Sequence, residues 1–87
     1  MNYAGNRAAL AFLFTDCGLA MTFLDVADTT AIPETARRNR ASARKAYDTI
    51  AHYLPQLVLT AAESQSIEKQ LSALRIRLEA AGEHFPF

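Results

Sequence analysis

The sequence contains no tryptophan, three prolines, three glycines and a single cysteine, Cys17. A single cysteine excludes a disulfide within the chain. One cysteine and two histidines are also too few to form a Cys and His cluster for a structural metal. A lone cysteine also suits a reducing compartment. We therefore expect a cytoplasmic protein without a metal or another cofactor.

The chain also lacks an excess of charge of either sign, because nine basic residues balance nine acidic ones. A dedicated nucleic-acid-binding domain is usually strongly basic, so this balance disfavours that class. At 87 residues the chain is expected to form one domain, residues 1–87. A core of that size rarely contributes more than about 3–5 kcal/mol, and without a disulfide or a metal we expect self-association to add to stability.

No long uninterrupted apolar run is present. The longest near the start, Ala8–Phe14, ends at Thr15 and Asp16, far short of the roughly 20 residues that cross a bilayer. We expect no membrane-spanning segment. Apolar and polar residues do not alternate over any useful length, so no β-strand is predicted either.

The sequence does contain three helical segments, predicted at about 6–28, 33–54 and 61–81, followed by a tail at 83–87. Pro33 suits a first helical turn, and Pro55 ends the second helix. Thr60 and Glu63 have the spacing of a capping box. Short connections favour an all-α, three-helix bundle in up-down-up antiparallel order. Two alternatives remain for the tail: Phe85 folds back onto the core, or the tail is free.

The first helix is apolar on two sides. At about 100° per residue, one stripe comprises Leu10, Leu13, Cys17, Ala20, Leu24 and Ala27. A second stripe comprises Phe12, Leu19, Phe23 and Val26. Two further helices can cover one stripe well and the other poorly, so the second stripe is predicted to bind a second copy of the chain or a helical protein partner.

The second helix carries a basic stripe, namely Arg37, Arg38, Arg44 and Lys45, with Arg40 close to the apolar side. Three interpretations remain open: a solvated helix face, a docking surface for an acidic protein, and a site for RNA or another polyanion. A nucleic-acid partner is disfavoured, because this face has no aromatic side chains for stacking. For Arg40 we favour an ion pair with Asp25 or Asp28.

No catalytic arrangement is visible. The serines lack an adjacent base, no glycine-rich loop precedes a helix, and His52 and His84 are isolated. Asp16 would be a candidate acid or base only if it were buried. We therefore predict no catalytic residue, no metal ligand and no enzymatic activity. A subunit that completes an active site on a partner remains an alternative.

The segment from Ala43 to Pro55 resembles the second helix of a tetratricopeptide repeat, with Ala43, Tyr47, Ile50 and Pro55 at characteristic positions. In length and helix count the chain is similar to a microtubule-interacting-and-trafficking bundle. The runs 22–28 and 33–40 resemble small bacterial all-helical proteins of unknown function. These resemblances imply surfaces for helical association rather than catalysis. The sequence thus predicts a protein–protein interaction or adaptor module, with polyanion or RNA binding through the second helix as the alternative.

Overall fold

The computed structural model describes residues 3–86, with side chains from residue 5 onward. Helix α1 spans Tyr3–Thr29, α2 spans Pro33–Tyr53 and α3 spans Ala61–Ala80, with a short 3-10 turn at Leu54–Gln56 between α2 and α3. No strand occurs within residues 3–86. The all-α, three-helix prediction is confirmed.

The predicted helix bounds of 6–28, 33–54 and 61–81 differ from these by a few residues. The largest difference lies at the start of α1, which begins earlier than predicted despite Gly5. Helix α2 ends at Tyr53 because the chain tightens into the 3-10 turn around Pro55. A proline removes a backbone donor, so it ends the regular α-helical hydrogen bonding there.

Both ends of α3 have well-defined caps. At the start, the Thr60 hydroxyl accepts from the Glu63 amide at 3.1 Å, and the Glu63 carboxylate accepts from the Thr60 amide at 2.9 Å. At the end, the amides of Gly82 and Glu83 donate to the carbonyls of Glu79 and Leu78. This is a Schellman motif, and Gly82 adopts the positive φ of 97° that it requires. The predicted capping box is confirmed.

A Thr60→Ala variant should lower the free energy of unfolding by about 1 kcal/mol. The substitution removes the hydroxyl acceptor and leaves the Glu63 amide without that partner at the exposed start of α3. Urea denaturation followed by circular dichroism would measure the loss. Thr60→Ser, which keeps the hydroxyl, serves as the control and should stay within a few tenths of wild type. Equal stability of the alanine and serine variants would contradict a stabilising cap.

The core consists of two clusters along the length of the bundle. The first contains Leu10, Leu13, Cys17, Ile50 and Ile67, with Leu57 and Leu59 of the connection before α3 packed against it. The second contains Ala20, Leu24, Ala43, Leu74 and Leu78. All six residues predicted for the first stripe of α1 are buried. That stripe therefore faces α2 and α3, as its helical spacing requires.

Polar contacts join helix ends that are distant in sequence. Near the start of α1, the Asn6 side chain donates to the Val58 carbonyl at 2.6 Å and accepts from the Val58 amide at 2.9 Å. At the other end, Arg77 of α3 forms ion pairs with Asp25 and Asp28 at 3.0 and 3.1 Å. These contacts support the up-down-up order, which stays a prediction. The pairing of Arg40 with Asp25 or Asp28 was wrong, because Arg77 approaches both carboxylates from α3.

Candidate functional site

The second stripe of α1 is largely exposed. Phe12, Leu19 and Val26 expose 61%, 48% and 38% of their surface, and we call these three residues the outer face of α1. The fourth predicted member, Phe23, is half-buried against the second core cluster. Its ring belongs to the edge of the core, so it is not a freely available member of an association patch.

The exposed residues beside the outer face are small, and the half-buried Asp16 adds one carboxylate there. The Thr15 hydroxyl donates to the Ala11 carbonyl and the Thr22 hydroxyl donates to the Gly18 carbonyl, each at 3.1 Å. Both hydroxyls therefore have a partner within α1. A side chain added at Gly18 would meet nothing within 4 Å, which shows that the surface there is open.

An open groove of about 440 Å³ adjoins the outer face near the start of α1. Its lining is mainly apolar and comprises Ala9, Phe12, Leu13, Tyr53, Gln56 and Leu57. Phe12 is shared by the groove and the outer face, and Tyr53 on the opposite wall is half-exposed. The apolar surface of α1 thus continues toward the end of α2.

The predicted basic stripe is not one free cationic surface. Arg37 and Arg38 are exposed and both pair with Glu34. Arg44 exposes 22% of its side chain and pairs with Asp48, while Lys45 is exposed. Polyanion binding by this stripe stays a prediction, and the Glu34 and Asp48 carboxylates reduce the local positive charge.

The C-terminal tail folds back onto α2 and α3. Of the two alternatives left open for the tail, this is the one in which Phe85 packs on the core. The Phe85 ring lies edge-on to Tyr47, with 4.8 Å between ring centroids and 71° between ring planes. The guanidinium carbons of Arg44 and Arg75 lie 3.9 and 4.7 Å from the centre of the same ring. We call Arg44, Tyr47 and Arg75 the tail clamp. Phe87 lies outside the described residues.

The sequence predicted neither arginine as a contact of the tail. Arg44 was assigned only to the basic stripe, and Arg75 was assigned no role. One signal was present, since a glycine in the position of Gly82 is typical of the residue that ends a helix, shortly before Phe85. Periodicity within α2 and α3 cannot show that both arginines face the same point.

The groups that could carry chemistry do not form a catalytic arrangement in the described part of the chain. Burial raises the pKa of the Cys17 thiol, and the neighbouring Asp16 carboxylate raises it further. A thiol of this kind stays protonated and unreactive at neutral pH. Asp16 itself is half-buried. Among residues 3–86, no three Cys, His, Asp or Glu side chains lie close enough together to hold a metal ion.

Helix α1 has a further property that the short run Ala8–Phe14 did not reveal. Between Gly5 and Thr29 it is long and apolar enough to cross a membrane, judged by length and composition. Signal sequences and the core helices of soluble proteins meet the same criterion. The first stripe of α1 is packed against α2 and α3, but only 28% of the apolar stretch is buried, so α1 is not enclosed in the way that a core helix is.

Comparison with known proteins adds no family to these observations. No protein-family model, curated protein or solved structure matches the chain. The outer face of α1 and the tail clamp are therefore the two features from which a function can be inferred.

Proposed function

We propose that the protein is a non-enzymatic helical interaction module that forms a homodimer through the outer face of α1. The observation that supports this proposal is the exposure of Phe12, Leu19 and Val26 on a helix whose other side forms the core. Large apolar side chains that lie together on a surface are typical of protein–protein contacts.

The spacing of the outer face favours a second copy of the chain as the partner. Phe12, Leu19 and Val26 are seven residues apart, so they lie on nearly one line along α1. An antiparallel copy centred on Leu19 would place Leu19 against its equivalent and Phe12 against Val26 of the other protomer. This register is self-complementary, as a two-fold interface requires.

The environment of the outer face suits a close approach of two helices. Thr15, Gly18 and Thr22 are small and exposed beside it. A net charge of zero means that two copies do not repel one another overall.

The expected affinity is modest. The three side chains are already partly covered, so burying the remainder contributes on the order of 1 kcal/mol each, or roughly 6 kcal/mol for two protomers. Association costs at least about 4 kcal/mol in lost translational and rotational freedom. These terms leave about 2 kcal/mol, whereas a Kd of about 1 mM corresponds to about 4 kcal/mol. Burial of the small residues and the adjoining groove has to supply the difference, so we expect a weak, reversible dimer.

Phe12→Ser should convert the dimer into a monomer without unfolding it, because Phe12 is the most exposed member of the outer face. Sedimentation velocity over a concentration series up to about 1 mM covers the range of weak affinities and would measure the change. The matched control is Ile76→Ser, since Ile76 is 67% exposed on α3, away from the core. This control should dimerise as wild type does.

Three outcomes would contradict the proposal: a monomeric wild type throughout the series, equal loss of association in both variants, or association unchanged by Phe12→Ser.

Cysteine variants test the register directly. Under mild oxidation Leu19→Cys should cross-link to itself, whereas Phe12→Cys should do so poorly in an antiparallel pair. The native Cys17 is buried and should not compete. Efficient cross-linking of both Phe12→Cys and Leu19→Cys would show that the two helices are parallel.

A further inference from the structure

The tail clamp has the properties of a peptide-binding site that holds a segment of its own chain. We infer that Arg44, Tyr47 and Arg75 bind a peptide with a carboxylate two residues before an aromatic ring, and that the tail occupies this site until such a segment of another protein replaces it. This inference is independent of the proposed dimer, because the clamp lies on α2 and α3 and the outer face lies on α1.

The tail offers the clamp three chemical groups. Its aromatic ring, Phe85, lies against both guanidinium groups and the ring of Tyr47. Its carbonyl at His84 accepts from Arg44 Nη1 at 2.7 Å, and its carboxylate at Glu83 lies 3.5 Å from the same nitrogen. Guanidinium groups bind aromatic faces and carboxylates well, so two arginines beside a ring select an acidic and aromatic ligand.

The walls of the clamp are held in place by contacts that do not involve the tail. Arg44 Nε donates to both carboxylate oxygens of Asp48, at 3.0 and 3.1 Å. Arg75 Nε lies 3.4 Å from a carboxylate oxygen of Glu79. In each pair the two residues lie four positions apart on the same helix, α2 for the first pair and α3 for the second. This spacing brings the two side chains next to one another. The clamp should therefore keep its shape when the ring leaves.

The tail also has the features of a removable ligand. The Schellman motif ends α3 at Gly82, and the backbone hydrogen bond from Glu83 to Leu78 completes that motif. Beyond it, Phe85 is half-buried at the edge of the second core cluster, and Pro86 is exposed. An open groove of about 340 Å³ lies beside the ring, with Asp48, Ala51 and His52 among its lining residues. A longer peptide would have room to extend there.

The experiment uses the full chain with Phe85→Ala, which removes the aromatic ring from the clamp and leaves the Glu83 and His84 contacts to Arg44 in place. A synthetic peptide with the sequence of residues 83–87 is titrated into the ¹⁵N-labelled variant and into wild type, and NMR shifts of the Arg44 and Arg75 side chains report binding. The variant should bind with about tenfold lower Kd, because the tethered ring competes in wild type at millimolar effective concentration. A peptide with alanine in place of the first phenylalanine should not bind.

Two added substitutions test the role of the clamp. Arg75→Ala in the Phe85→Ala background should weaken peptide binding several-fold. Lys69→Ala in the same background removes an exposed cation from the same helix and should leave binding unchanged. If the peptide bound equally to wild type and to Phe85→Ala, or if the alanine peptide bound, the binding site would lie outside the tail clamp and the inference would be wrong. Loss of the helical circular dichroism of Phe85→Ala would show that the ring is part of the core, and would overturn the inference.

Discussion

Leu24→Ala should leave a large part of the protein unfolded at 25 °C. Leu24 is 2% exposed and lies in the second core cluster with Leu74 and Leu78. Truncation of a buried leucine to alanine costs about 2–5 kcal/mol, because apolar contacts are lost and a cavity remains. A domain of this size has little more stability than that to lose. Thermal and urea unfolding, followed by circular dichroism, would measure the change.

Leu19→Ala is the matched control for this prediction. It is the same substitution on the same helix, but Leu19 is 48% exposed on the outer face. Its cost to the fold of one protomer should be below about 1 kcal/mol. Dimerisation adds to apparent stability in a concentration-dependent way, so both variants are compared at low and high protein concentration. Equal losses at low concentration would contradict the assignment of the two faces of α1.

Asn6→Asp is expected to have the second largest effect, a loss of about 1–3 kcal/mol in the free energy of unfolding at neutral pH. The Asn6 amide forms two hydrogen bonds with the backbone of Val58 and is 7% exposed. A carboxylate can still accept from the Val58 amide. It cannot donate to the Val58 carbonyl, so two acceptor oxygens would face one another in a buried position.

The pH dependence of this variant provides a second readout. A protonated carboxyl can donate to the Val58 carbonyl again, so the folded state binds the proton more tightly than the unfolded state does. The variant should therefore recover part of its deficit relative to wild type as the pH falls. Asn39→Asp is the control, since the Asn39 amide donates to the Thr35 carbonyl within α2. Equal losses in the two variants would contradict a special role for the contact between Asn6 and Val58.

Helix α1 combines two roles that the variants above would separate. Its inner side, with Leu24, holds the two core clusters together with α2 and α3. Its outer face is exposed, so we expect it to contribute little to the fold of one protomer and to carry the proposed dimer. An outer-face variant should therefore change association, whereas an inner-side variant should change folding first.

The sequence alone determined the local features of this protein. The capping box at Thr60, the stop near Pro55 and the buried stripe from Leu10 to Ala27 all depend on residues a few positions apart. Helical hydrogen bonds join residues four apart, and side-chain neighbours on a helix repeat every three or four residues. Such short-range rules can be read directly from spacing.

Tertiary structure alone decided which distant groups meet. Asn6 and Val58 are 52 residues apart, Arg77 and Asp28 are 49 apart, and Arg44 and His84 are 40 apart. Each contact depends on how two elements lie against one another, and periodicity within either element carries no information about that. The same reason explains why the sequence could not predict the partial burial of Phe23, which lies on the same side of α1 as Phe12 and Leu19. Packing along the second core cluster partly covers its ring, while the other two stay exposed.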